Sequence, residues 1–246
     1  MVRKRIIPCL LLQNESLVKT ICFKKPSYIG DAINTVRIFN ELEVDELIVL
    51  DIKATISKTE PNFGLLEDIA SECFMPLAYG GGINTLEQAK KIIEIGYEKV
   101  IINSAAFSNK ELITQIADEL GNQCVIGSLD VKKSFLGNYF VYSNSGNKKE
   151  KINPFQWAKE LESQGSGEIM ITSITQEGTW KGFDFDLIEK ITKQVNVPVI
   201  AHGGAGSSKD IEEVFKLDVN AAAIGSMVVY QKKGMGVLVN VNNLKR

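Results

Sequence analysis

The chain has 246 residues, 28 basic against 30 acidic for a net charge of -2, and 44% of it is hydrophobic. That balance gives no broad attraction to nucleic acid or to an anionic membrane, and no apolar run approaches the roughly 20 residues needed to cross a bilayer. One histidine and four cysteines without a C-x-x-C pair argue against a zinc site of cysteine and histidine ligands, so no metal is expected. Cys9, Cys22, Cys73 and Cys124 read as buried reduced thiols, and the start of the chain lacks the apolar core of a secretion signal, which predicts a cytoplasmic protein.

In chain order, β-branched apolar runs predict strands over 5–11, 46–51, 76–80, 99–102, 123–130, 167–172, 197–201 and 220–224. Between them, helical periodicity predicts helices over 31–42, 64–73, 85–95, 110–120, 154–164, 184–193 and 207–217. Runs such as Leu47-Ile48-Val49-Leu50 are apolar on successive residues, which suits parallel strands covered on both faces. Eight strand–helix units without a Pro-, Gly- or Ser-rich linker point to one (β/α)8 barrel over 1–246, with a doubly wound open sheet as the alternative. Residues 14–30 read as a polar loop after the first strand. The stretch 131–153, with Asn138-Tyr139-Phe140-Val141-Tyr142 before Ser143-Asn144-Ser145-Gly146, reads as a hairpin inserted after the fifth.

The chain repeats itself. Ala78-Tyr79-Gly80-Gly81-Gly82 and Ala201-His202-Gly203-Gly204-Ala205 lie 123 residues apart, half the chain, and each precedes a polar cap, a helix and a small-residue strand end. Two fused half-barrels, about 1–122 and 123–246, are the expectation, because solenoid repeats are shorter. Glycines after a strand let a ligand approach the backbone, so Gly81-Gly82 with Asn103-Ser104, and Gly203-Gly204 with Gly225-Ser226, are candidate anion frames. Glycine turns also simply end strands, but two copies in register favour a ligand with a phosphate at each end. At the strand C-termini, Asp51, Asp130, Thr172, Ser173 and Glu177-Gly178 are the candidate chemistry. An aspartate there acts as a general acid or base if its pKa is shifted, or merely ties down a loop. His202 is placed at the pocket mouth.

These pieces together resemble the cyclase subunit of imidazole glycerol phosphate synthase, from Lys4 to about Val229. The specific matches include Lys4-Arg5-Ile6-Ile7-Pro8-Cys9-Leu10, Leu50-Asp51-Ile52, Gly80-Gly81-Gly82-Ile83, Ile102-Asn103-Ser104-Ala105-Ala106 and Gly203-Gly204-Ala205-Gly206. The resemblance implies a barrel that binds a substrate with two phosphates, needs no cofactor and receives ammonia from a separate glutaminase subunit in a heterodimer. It implies phosphate contacts from Lys19, Asn103, Ser104 and Gly203, and an ammonia gate of Arg5, Glu46, Lys99 and Glu168. Of the family's two catalytic aspartates Asp130 matches the second, but Leu11 stands at the first, and a leucine cannot move a proton. Tyr79 and His202 replace smaller residues, which would reshape the pocket, and Glu177 stands where the family favours aspartate. The end of the chain, 234–241, reads as extended rather than as an eighth helix.

The Cys9-Leu10-Leu11-Leu12 form of strand one and the altered tail resemble a branch of the family associated with surface-polysaccharide genes, where ammonia supplies a sugar amidotransferase making acetamidino sugars. The sequence therefore carries three readings: an ammonia-conducting barrel without cyclase chemistry, a working cyclase of histidine biosynthesis, and a non-catalytic bisphosphate-binding module.

Overall fold

A computed structural model describes residues 4–42 and 44–240. Its strands are β1 (Arg5–Gln13), β2 (Ser16–Ile21), β3 (Lys24–Asp31), β4 (Leu47–Asp51), β5 (Leu77–Gly80), β6 (Lys99–Ile102), β7 (Val125–Lys133), β8 (Tyr139–Ser143), β9 (Lys148–Lys149), β10 (Glu168–Ser173), β11 (Val199–His202) and β12 (Ala221–Ile224). Its α-helices are α1 (Ala32–Glu41), α2 (Ala54–Ser57), α3 (Phe63–Glu72), α4 (Leu86–Ile95), α5 (Ser104–Ser108), α6 (Leu112–Leu120), α7 (Pro154–Ser163), α8 (Phe185–Thr192), α9 (Ser208–Phe215) and α10 (Ser226–Val229). Strands β1, β4, β5, β6, β7, β10, β11 and β12 pair in parallel in that order, and β12 pairs back to β1, closing an eight-stranded barrel. The (β/α)8 expectation holds and the open-sheet alternative falls.

Side-chain alternation along these strands divides the core into two layers. Outward residues such as Leu10, Val49, Tyr79 and Ile171 pack under the helices, while Ile7, Cys9, Ile48, Ala78, Ile126, Met170, Ile200 and Ala221 fill the barrel interior. The helices start where side chains satisfy their free N–H groups. Asp31 accepts from Asn34 N, Thr85 from Gln88 N, Asp184 from Leu187 N and Ser207 from Asp210 N, and Pro154 opens α7 behind its Asn153 cap.

Several expectations are corrected. Residues 14–30 are not a loop. Here β2 pairs antiparallel with the elongated end of β1, and β3 pairs with β2. The polar look came from Lys24, Lys25 and Pro26 on β3, an exposed edge strand where charge and proline are tolerated and no apolar period is required. The hairpin after the fifth barrel strand is present as β8 and β9, and β7 itself runs to Lys133 to pair with β8. Tyr79 does not reshape the pocket. It faces outward, 1% exposed, with its ring edge-on to Tyr97, because parity along β5 sends its neighbours Ala78 and Gly80 inward instead. Cys9 is fully buried, but Cys22, Cys73 and Cys124 are only partly so. After α10 the chain doubles back without a further helix among the described residues: Tyr230 bridges Val237, and Leu238 N donates to Val229 O. The extended tail is thus seen as far as residue 240; residue 241 lies outside the described residues.

Candidate functional site

A cavity of about 280 Å³ opens at the C-terminal ends of the barrel strands. Leu11 of β1, Asp51 of β4, Gly81 and Gly82 after β5, Asn103 and Ser104 after β6, Ser128 and Asp130 of β7, Thr172 of β10 and His202 of β11 line it. Asp130 is 8% exposed and accepts a hydrogen bond from Asn103 Nδ2 at 2.8 Å. Burial pushes its carboxyl up to about 7, against weaker opposition from the hydrogen bonds of Asn103 and Thr172, so it exchanges a proton near neutral pH. Thr172 Oγ1 lies 3.1 Å from His202 Nδ1. His202, the last residue of β11, is 5% exposed and lines the cavity. Burial first, and the charge of Lys19 second, lower its pKa to about 3, so the ring is neutral.

Of the other two carboxylates on this cavity, Asp51 is tied through one oxygen and Glu177 through both, and burial raises the Asp51 pKa against the two backbone hydrogen bonds it accepts. Asp51 Oδ1 accepts from Lys53 N and Ala54 N at 2.8 and 2.9 Å, ordering the start of α2. Glu177, 1% exposed, holds Lys19 Nζ at 2.5 Å with one oxygen and accepts from Phe23 N at 3.0 Å with the other. Gly81 has φ +126°, and a β-carbon there would sit 2.5 Å from Asp51 O, so this glycine is required by the neighbouring loop irrespective of any ligand.

The second glycine frame differs from the first. Gly178, Gly203, Gly204, Gly225 and Ser226 come together with Lys19, Glu177 and His202 around a gap of only about 10 Å³. The expected substrate-region residues thus divide between the large cavity and this small one, with Glu177 and His202 lining both and Ser173 lining neither. Unanticipated wall residues are Ser128, two positions before Asp130 and so on the same strand face, and Phe23, Ser145 and Asn147 from the hairpin turns. Parity would have found Ser128; the turn residues depend on pairings remote in sequence.

At the opposite, N-terminal mouth, Arg5, Glu46, Lys99 and Glu168 form a closed ring of ion pairs. Arg5 donates to Glu46 at 2.8 Å and to Glu168 at 2.7 Å, and Lys99 reaches Glu46 at 2.5 Å and Glu168 at 2.7 Å. Burial opposes the charge on Glu168, but the hydrogen bonds and charges of Arg5 and Lys99 outweigh it and hold the carboxyl low. Burial likewise opposes the Lys99 ammonium, and Glu168 and Glu46 outweigh it, raising its pKa. Among the described residues, no cluster of three or more His, Cys, Asp or Glu side chains could hold a metal, and no helix is long and apolar enough to cross a membrane.

Comparison with known proteins fits this geometry. The family model described as histidine biosynthesis protein matches residues 5–234. A Pseudomonas aeruginosa protein provisionally named imidazole glycerol phosphate synthase subunit hisF2 is 51% identical over 247 residues, covering 100% of this chain and 98% of the relative. A Campylobacter jejuni protein of the same provisional name is 43% identical, covering 91% of this chain and 88% of the relative. The imidazole glycerol phosphate synthase subunit HisF of a Hydrogenobaculum species is 39% identical, covering 95% of this chain and 92% of the relative. With its closed barrel, near-neutral Asp130 and full-length match, the chain belongs to the histidine biosynthesis protein family, among the HisF cyclase subunits of imidazole glycerol phosphate synthase.

Proposed function

We propose that this barrel conducts ammonia from a glutaminase partner and no longer closes the imidazole ring. The observation that carries the reading is Leu11. It lines the same cavity as Asp130 and is 5% exposed, where the resemblance leads one to expect a second acid–base group. The remaining carboxylates on the cavity are engaged locally rather than beside Leu11: Asp51 ends β4 with one oxygen bound to Lys53 N and Ala54 N, and Glu177 is held by Lys19 and Phe23 N. A positioned acid–base group contributes about 10²–10⁴-fold in rate, so its loss removes useful turnover. The ion-pair ring supports the ammonia role, since Arg5, Glu46, Lys99 and Glu168 all remain and close on one another at the N-terminal mouth. The interior above it is apolar, which suits a small neutral solute better than an ion. The acceptor we assign is a separate sugar amidotransferase making acetamidino sugars, on the strength of the strand-one form Cys9-Leu10-Leu11-Leu12. The cavity keeps a phosphorylated small molecule as its ligand.

A second reading, a working cyclase, draws on Asp130, whose pKa near 7 suits proton transfer. One experiment separates them: cyclisation of the family's bisphosphate substrate with excess ammonium chloride, using the unchanged protein and Leu11→Asp in parallel. Our reading expects no turnover from the former and measurable turnover from the latter. Ordinary rates of about 1–10 s⁻¹ from the unchanged protein would restore the cyclase. Under our reading the chain also accelerates glutamine hydrolysis by its glutaminase partner.

A further inference from the structure

We infer that His202 is the far end of a proton wire, running through Thr172, that supplies and withdraws the proton of Asp130. The ring takes up or releases at Nε2 the proton that Asp130 gains or loses, and it acts as a positioning residue without becoming charged itself. The wire needs no ring closure, so it stands apart from the ammonia reading.

Register builds it. On three neighbouring barrel strands, Asp130 of β7 lies opposite Thr172 of β10, and Thr172 lies opposite His202 of β11. All three are buried and all line the cavity. Thr172 Oγ1 sits 3.1 Å from His202 Nδ1, and its hydroxyl also hydrogen-bonds the Asp130 carboxyl. A hydroxyl carries one hydrogen, so Thr172 donates to one neighbour while it accepts from the other. An ionised Asp130 only accepts. Thr172 then donates to the carboxylate, His202 Nδ1 donates to Thr172, and Nε2 is left bare. With Asp130 protonated the chain reverses: the acid donates to Thr172, Thr172 donates to Nδ1, and the ring carries its proton on Nε2.

Passage between the two states balances. A proton arrives at Nε2 from water or a ligand, the Nδ1 proton passes to Thr172 Oγ1, and the Thr172 proton passes to Asp130. One proton has entered, and the imidazole is neutral before and after. Asn103 has no such role, because its amide donates to Asp130 in either state. The surroundings keep the ring neutral: burial, then the charge of Lys19, lower its pKa to about 3. Lys19 is paired with Glu177, which lines both cavities together with His202. On the other side of His202, β12 sets Ala223 opposite it. Burial pushes the thiol of Cys9, in the barrel interior, up to about 12, and Asp51 is bound to Lys53 N and Ala54 N.

The chain has one histidine, so its ring nitrogens are read without ambiguity. The test is nitrogen-15 NMR of the histidine-labelled protein, purified without a histidine tag, from pH 5 to pH 9. The bare and the protonated nitrogen of a neutral imidazole resonate far apart. The proton is expected on Nδ1 at pH 9 and on Nε2 at pH 5, changing places with a midpoint of about 7. Asp130→Asn, whose amide donates to Thr172 as the protonated acid does, should hold Nε2–H at both pH values. Thr172→Val should abolish the exchange while the Asp130 carboxyl, followed by carbon-13 NMR, still titrates. A single tautomer throughout in the unchanged protein overturns the wire. So does an imidazolium at pH 5, since His202 would then keep the proton, and so does an exchange that survives in Thr172→Val. The pH series of the unchanged protein decides the matter even if the valine variant fails to fold.

Discussion

Asp130 offers a sharp test of the electrostatics of the cavity. Its carboxyl is pushed up to about 7 chiefly by burial, whereas in the unfolded chain it ionises near 4. The folded state therefore holds the proton more tightly between those values. Stability is undiminished below about pH 4, where both states are protonated, and declines as pH rises until the folded group ionises near 7. Each pH unit in that window costs about 1.4 kcal/mol, so the ionised carboxylate penalises folding by about 4 kcal/mol at alkaline pH. Asp130→Asn removes the titration and keeps an oxygen to accept from Asn103 Nδ2. Urea unfolding of both proteins at pH 5 and pH 9 isolates the effect, because all other titrating groups are shared. The stability gap should move in favour of the asparagine variant by about 2.7 kcal/mol between the two pH values, the two units below 7 being where the folded group stays protonated. A gap constant to within about 0.5 kcal/mol would show that Asp130 is already ionised at pH 5, and the burial argument would fail.

Other expectations follow from neighbouring features. Arg5→Ala leaves Glu168 and Glu46 sharing Lys99 alone, and because Arg5 is partly exposed the loss should be about 1–3 kcal/mol in urea at pH 7. Since the Glu168 carboxyl is held low, that loss should fade as pH falls through its folded pKa; an unchanged midpoint at pH 7 would refute the ring's contribution. Gly178→Ala, at φ +71° with its β-carbon driven onto Thr20 O, should cost more than about 2 kcal/mol, whereas Gly137→Ala, at φ +85° in open space, should cost only about 1. Equal midpoints for the two glycine variants would contradict the packing described. Tyr79→Ala should lower stability by about 3–5 kcal/mol, yet any phosphate affinity measured on the folded variant should be that of the unchanged protein, since Tyr79 faces the helices.

What the sequence disclosed follows from where each segment sits. The eight barrel strands were legible because covering both faces forces consecutive apolar residues, as in Leu47-Ile48-Val49-Leu50. Strand β3 was not, because an exposed edge imposes no such pattern. Asp130, Asn103 and Thr172 could be picked out as polar residues ending apolar strands. Their meeting is a consequence of register, Thr172 opposite Asp130, that no local pattern announces. The misplacement of Tyr79 came from treating a strand-end motif as a unit when alternate residues point to opposite layers. The Lys19–Glu177 pair was invisible for another reason: its members are 158 residues apart and meet only because an unrecognised hairpin carries Lys19 across the barrel end.

That hairpin has a counterpart. Strands β1 and β7 are both nine residues long, and each continues past the barrel into antiparallel partners. The two turns meet: a β-carbon built on Gly146 would lie 3.0 Å from Phe23 Cδ2. Phe23 also lines the cavity, so this contact roofs it with one turn from each half of the chain. A molecule leaving the cavity on that side must push these surface turns apart and disturbs no barrel strand. Its residence time is then governed by the opening of those turns, and the staves beneath can be as stiff as their packing makes them.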